Sequence, residues 1–345
     1  MRRLLIPACL LLAALTLGAC NANFTSFAAT VDSATISQHE LNETVQAADA
    51  SSGFRCVVTG GGAEATRGAG VSYNAGFAAQ MLTTLVEGRA LKVELARHQL
   101  RLTGFARSVG RSELEQALAP GQATDQSCTE PAAAVLASLP ASVRARLIDL
   151  QAAQAMLAAR AIGAQLSVAG VAAWAKAHPS AARVTCLSVA PFPSKAAAAA
   201  FVAQLRKGAS FSSAAASSGT QAQAGCVQAT ALPGGLGAVV DALAPQQISS
   251  PTPYGSTWLV FTVSSRRSAT GSEAAGFLLN TAASKVGALV NRALARVEVQ
   301  IDPAYGSWRN VQGTYQVVPR SGPPAAALFN SVAVTTPASS ALSVG

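Results

Sequence analysis

The first twenty residues decide which compartment the rest of the chain has to fold in. Arg2 and Arg3 precede an apolar run from Leu4 to Leu17, and Gly18 and Ala19 close that run before Cys20. A stretch this short does not comfortably cross a bilayer. Its order of charge, apolar run and small residues is that of an export signal. The remaining chain therefore meets an oxidising compartment, where disulfides form and persist. Six cysteines are present. Cys9 leaves with the leader, and Cys56, Cys128, Cys186 and Cys226 form an even set downstream of Cys20. Four cysteines allow three pairings. Free thiols and a metal site are the other readings. The metal reading is weak, because no Cys-x₂-Cys spacing occurs and His39, His98 and His178 are far apart in sequence.

Leu17-Gly-Ala-Cys20 resembles the processing site of bacterial lipoproteins. That resemblance implies a lipidated Cys20 as the mature N-terminus and a chain tethered to the extracytoplasmic face of the cell membrane. Two or more acyl chains anchor firmly, since each buried CH₂ contributes about 0.8 kcal/mol. An ordinary secretory signal with an incidental cysteine is the alternative. No second apolar run long enough to span a bilayer follows.

Length and composition bound the rest. The 345 residues suffice for two domains, each with its own core. The chain is half hydrophobic by count, rich in alanine and only 5% aromatic, which suits helices packed through small contacts. Of 25 basic residues two leave with the leader, against 16 acidic ones, so the mature chain carries +7. The charges are scattered. They fit a cationic face near anionic headgroups rather than a nucleic-acid surface, for which a basic stripe with interleaved aromatics is missing.

Along the chain, Ala29 to Ile36 alternates weakly around Asp32-Ser33 and predicts a short strand pair. Ser37 with Glu40 three residues on forms a capping box that opens a helix to about Ala48. The glycine-dense stretch 49–74 reads as a loop pinned by Cys56. Helices are predicted over 75–102 (ended by Gly104), 112–118, 141–161 and 167–177, the last carrying Trp174 and stopped by His178-Pro179. The character then changes to strand 183–189, helix 194–207, short helix 211–217, strand 225–227, short helix 237–243 and strands at Ile248 and 258–263. A helix over 273–297 and a strand over 297–301 follow, and the Pro, Ser and Ala-rich end from 319 predicts disorder.

This order resembles the SurA-type extracytoplasmic chaperones, in which a helical domain carries a parvulin-type peptidyl-prolyl isomerase domain. Four stretches carry the resemblance: Val31 to Leu41, Leu166 to Pro179, Phe201 to Ala215 and Gln247 to Phe261. It implies an α+β chain: a helical SurA N-terminal-like domain with a parvulin-like four-stranded antiparallel sheet and surrounding helices. The boundaries expected are a lipoprotein signal at 1–19, a tether at 20–30, a helical domain at 31–180 plus 273–301, a parvulin-like domain at 181–268 and a disordered tail at 319–345. With these boundaries, pairing Cys56 with Cys128 and Cys186 with Cys226 keeps each bridge inside one domain. The implied partners are unfolded or nascent exported proteins and the membrane, with no nucleic acid and no cofactor.

The departures bear most on function. Active parvulins carry a histidine on the first strand, where Cys186 stands here, and another on the last strand, where Thr257 stands. Leu232 and Leu236 fall near the family's apolar proline cup. The resemblance therefore implies a degenerate site at Cys186, Leu232, Leu236 and Thr257, with Cys186 structural rather than nucleophilic. A low-activity or inactive folding factor is expected; an active isomerase and a non-catalytic envelope adaptor are the alternatives. His39 and His98 read as solvated helix-face residues, and Trp174 as an inter-domain packing residue. No catalytic motif of a hydrolase or nucleotide-binding protein occurs.

Overall fold

The computed structural model describes residues 27–59, 74–119 and 128–320. The expected leader, Cys20 and nearly all of the expected disordered tail lie outside these residues. Among the described residues, no helix is long and apolar enough to cross a membrane.

Strand β1 (Phe27–Val31) opens the fold and turns at Asp32-Ser33 into β2 (Ala34–Ser37). The expected tether thus already contains a strand. This strand pairs with β2 on one side and, from Ala29 to Val31, with β7 (Val299–Ile301) on the other, in the order β2-β1-β7. The first described strand and one near the C-terminal end of the described residues therefore meet in one small sheet. Ser37 caps α1 (Gln38–Ala50): its side chain accepts the Glu40 N–H at 3.0 Å. Glu40 does not reach back to complete the box and binds Arg89 instead.

Helix α2 (Ser52–Thr59) occupies the start of the stretch read as a loop. Helix α3 (Ala75–Arg97) is followed by α4 (Gly104–Ala117), α5 (Ala132–Ser138), α6 (Ala141–Ala161) and α7 (Val168–Ala177). Gly104 begins a helix rather than ending one, because Thr103 caps it by accepting the Ala106 N–H. Helix α11 (Gly271–Ala295) returns through this bundle, and the hairpin β8 (Ser307–Val311) and β9 (Thr314–Val318) closes on it. One core joins all of these elements, with Leu82, Leu91, Leu114 and Phe277 fully buried. Trp174 belongs to this core and stacks on His178 at 5.3 Å. The disulfide Cys56–Cys128 pins α2 to the segment entering α5, with Cα atoms 5.7 Å apart.

A second unit is inserted between α7 and α11. It is an antiparallel sheet of order β4-β3-β6-β5, made of β3 (Arg183–Phe192), β4 (Gln223–Gln228), β5 (Thr252–Tyr254) and β6 (Thr257–Ser268). Helices α8 (Lys195–Arg206), α9 (Phe211–Ser217) and α10 (Leu236–Ala242) surround it. The molecule is therefore mixed helix and sheet, with a four-stranded antiparallel sheet set into a helical body.

Candidate functional site

The inserted sheet has two apolar faces, because successive side chains of a strand point to opposite sides. Ala190, Phe192 and Val260 face α8 and α9, packing on Phe201, Val202 and Leu205. Leu187, Val189, Leu259, Phe261 and Val263 face the other way, under Leu236 and Val240 of α10 and Leu243 just after it. Among the described residues a short helix and a single 3₁₀ turn (Ala229–Ala231) cover this second face. Gly234 and Gly235 take left-handed φ values of 62° and 79°, and Gly235 caps α10, so the chain reverses and lays Leu236 onto the sheet. Leu232 and Tyr254 are half-buried against the same cluster and form its rim. A Cβ at Gly234 would sit 3.5 Å from the Tyr254 ring.

Of the four positions expected in a degenerate site, the structure brings three to this face. Leu236 is buried in it, Leu232 lies at its rim, and Thr257 follows Tyr254 across the turn at Gly255. The Thr257 hydroxyl donates to the Tyr254 carbonyl at 2.9 Å, so its proton is already committed. Cys186 lies elsewhere. It pairs with Ser265, whereas Trp258 next to Thr257 pairs with Phe192 at the far end of the ladder. Eight residues along β6 at about 3.3 Å each separate the two by roughly 26 Å. Alternation also turns Cys186 away from Leu187 and Val189, onto the core of the helical body. A bulge between Cys186 and Leu187 leaves Ser264 extra, and its hydroxyl donates to the Cys186 carbonyl. The Cys186 sulfur is bonded to Cys226 directly across β3 and β4, the Cα atoms 3.8 Å apart. It staples an edge strand and offers no thiol.

The helical body carries a slot between α1, α3 and α6. Its floor is apolar, with Leu85, Val143, Leu147 and Leu150, and Gly88 leaves it open. At about 30 Å³ it admits a group no larger than a water or a methyl. Every cation on its rim is held by a carboxylate: Arg89 by Glu40 at 2.9 Å, Lys92 by Asp149 at 3.1 Å and Arg146 by Glu43 at 2.7 Å. Burial would raise the Asp149 carboxyl; bonds from Arg107 and Lys92 outweigh it and hold it below its ordinary range. Hydrogen bonds from Ser142 and Arg146 hold Glu43 low as well. This is a braced junction between helices.

A buried polar pair lies deeper. Glu87 of α3 is fully buried and accepts from the Gln154 side-chain amide of α6 at 2.7 Å. Burial pushes its carboxyl up to about 8, against the Gln154 bond, so it is neutral at pH 7. Sequence reading passed over Glu87 because its surroundings in α3 look like an ordinary helix interior. The histidines play local parts: His98 meets Glu94 at 3.3 Å, and the His178 ring contacts the Trp174 carbonyl at 3.0 Å. Among the described residues no group of three or more His, Cys, Asp or Glu could hold a metal ion.

No protein-family model and no curated protein matches the chain. Among solved structures it is similar to the foldase PrsA of Streptococcus pneumoniae, 13% identical over 81% of this chain and 97% of that one, with a TM-score of 0.35. It is similar to PrsA of Lactococcus lactis, 13% identical over 81% and 96%, with a TM-score of 0.36. A SurA-like chaperone of Campylobacter jejuni, from a study of PEB4 and Cj1289, is 12% identical over 81% and 100%, with a TM-score of 0.27. At these scores the likeness carries nothing about activity.

Proposed function

We propose that the chain is a lipid-anchored, extracytoplasmic folding factor that holds unfolded exported chains and has little or no prolyl isomerase activity. The observation that carries this reading is the chemistry of the inserted sheet's α10 face. It is lined by aliphatic and aromatic groups, its Thr257 hydroxyl is occupied, and residues 183–268 contain no histidine. Turning an X-Pro bond means lowering a barrier of roughly 18–20 kcal/mol. An apolar cup contributes by desolvating the imide, and polar groups around the site fix its shape and charge. Here the cup is kept and those groups are gone, which favours gripping a proline segment over rotating it.

Two measurements on the soluble mature chain test this. In a peptide assay, X-Pro isomerisation proceeds near the uncatalysed rate, while aggregation of a denatured exported protein is suppressed. A rate far above background that Leu236→Asp abolishes would instead establish an isomerase working by desolvation alone. Tethering is tested separately: Cys20→Ser moves the protein out of the membrane fraction, and persistence there means another anchor.

A further inference from the structure

Among the described residues no strand pairs with the outer side of β7 in the sheet β2-β1-β7, and that edge lines a groove. The bonds from Asp302 N–H to the Ala28 carbonyl (3.0 Å) and from Asp32 N–H to the Glu298 carbonyl (2.8 Å) fix which groups of β7 face β1. In an antiparallel ladder bonded and non-bonded pairs alternate. Glu298, Gln300 and Asp302 therefore face β1, and the N–H and C=O groups of Val299 and Ile301 point away from it. They open into a groove of about 700 Å³ whose far wall is the β8–β9 hairpin. Trp308 and Val318 supply apolar surface there, and Trp308 is steadied by stacking on Tyr315 at 6.0 Å. Arg309 and Arg320, both exposed, stand at the groove, and the described residues that line it include no carboxylate. Among the described residues neither arginine forms an ion pair, unlike the cations rimming the three-helix slot.

From this we infer that β7 is a strand-addition site for an extended acidic peptide segment, one that alternates apolar side chains with carboxylates. Backbone groups of the incoming segment pair with Val299 and Ile301. Its apolar side chains lie against Trp308 and Val318, and its carboxylates meet Arg309 and Arg320. Main-chain pairing supplies affinity and the alternate side chains supply choice. The groove shares no residue with the α10 face of the inserted sheet, so the inference stands whatever the isomerase assay returns.

The test uses the full mature chain and three synthetic seven-residue peptides. One alternates valine with glutamate, one alternates valine with lysine, and one is the glutamate peptide with alternate backbone nitrogens methylated. The glutamate peptide is expected to bind about tenfold more tightly than either of the others. It is also expected to slow amide exchange at Val299 and Ile301. Arg309→Glu with Arg320→Glu, both on exposed positions, is expected to reverse the preference toward lysine. Equal binding of the glutamate and lysine peptides overturns the inference, and so does undiminished binding of the methylated one. Full protection of Val299 and Ile301 in the free chain overturns it too, because another part of this chain or a second copy then fills the edge.

Discussion

A neutral carboxyl in an apolar interior makes one residue a gauge of pH. In the unfolded chain Glu87 titrates near 4.5; in the fold burial moves it to about 8. Between these values the folded chain holds a proton that the unfolded chain has released. Stability therefore falls as pH rises across that window, by about 1.4 kcal/mol per pH unit at most. Below about 4.5 this residue contributes no slope, and above about 8 the full cost is present. Glu87→Gln keeps the shape and a partner for Gln154 while removing the proton exchange. It is expected to raise the melting temperature at pH 8, leave it nearly unchanged at pH 4.5 and flatten the profile between. Parallel pH profiles for the two proteins would show that Glu87 titrates normally. The sequence could not display this, because a glutamate in a helix reads as solvent-facing until its neighbours across α6 are known.

At the scale of elements, two glycines in helix interiors separate what sequence shows from what packing adds. Gly110 in α4 lies against α6, where a Cβ would stand 2.5 Å from the Ala152 nitrogen and 2.7 Å from the Ile148 carbonyl oxygen. Gly287 in α11 has nothing within 4 Å of a Cβ. Alanine gains up to about 1 kcal/mol of helix propensity over glycine at either place. Overpacking backbone against backbone costs about 1–3 kcal/mol. Gly110→Ala is thus expected to lower the unfolding free energy and Gly287→Ala to raise it by about 0.5–1 kcal/mol, read from denaturant titrations. Stabilisation by both would mean that α4 and α6 are further apart than described.

Elements with strong local signals were legible: the caps at Ser37, Ser167, Ser194 and Ser210 each accept a backbone N–H where a helix was expected to begin. The glycine-dense region hid α2, and α5 is too short to show a period. The β8–β9 hairpin was missed although its signal was present. Gln312-Gly313, with φ values of 52° and 86°, is a two-residue turn between alternating segments. The candidate site was legible only in part. Leu232, Leu236 and Thr257 share a face, but the bulge before Leu187 and the ladder register, which set Cys186 apart, depend on pairing between distant strands.

For the whole molecule the decisive contact is where the inserted unit leaves the helical body. The Ala269 N–H donates to the Ala182 carbonyl at 2.8 Å, so the two strands that carry the insert out and back start side by side. One disulfide, Cys186–Cys226, lies within the insert, and the other, Cys56–Cys128, lies outside it. We propose that residues 183–268 form a separable domain and that joining Ala182 to Ala269 through a short glycine link leaves the helical body folded. The join sacrifices contacts at the root: Val184 is buried in the helical core, Cys186 packs on it, and the Gln228 side chain donates to the Ala181 carbonyl. Burying one valine is worth about 1.5–3 kcal/mol. A domain's stability is typically about 5–15 kcal/mol, so the loss lowers the melting temperature by several degrees without abolishing a cooperative transition. A shortened chain that melts without cooperativity would show the two units to be one. If it folds, aggregation assays on it locate the grip. Suppression equal to the full chain assigns client binding to the helical body and its β7 edge, and loss of suppression assigns it to the apolar face beneath α10.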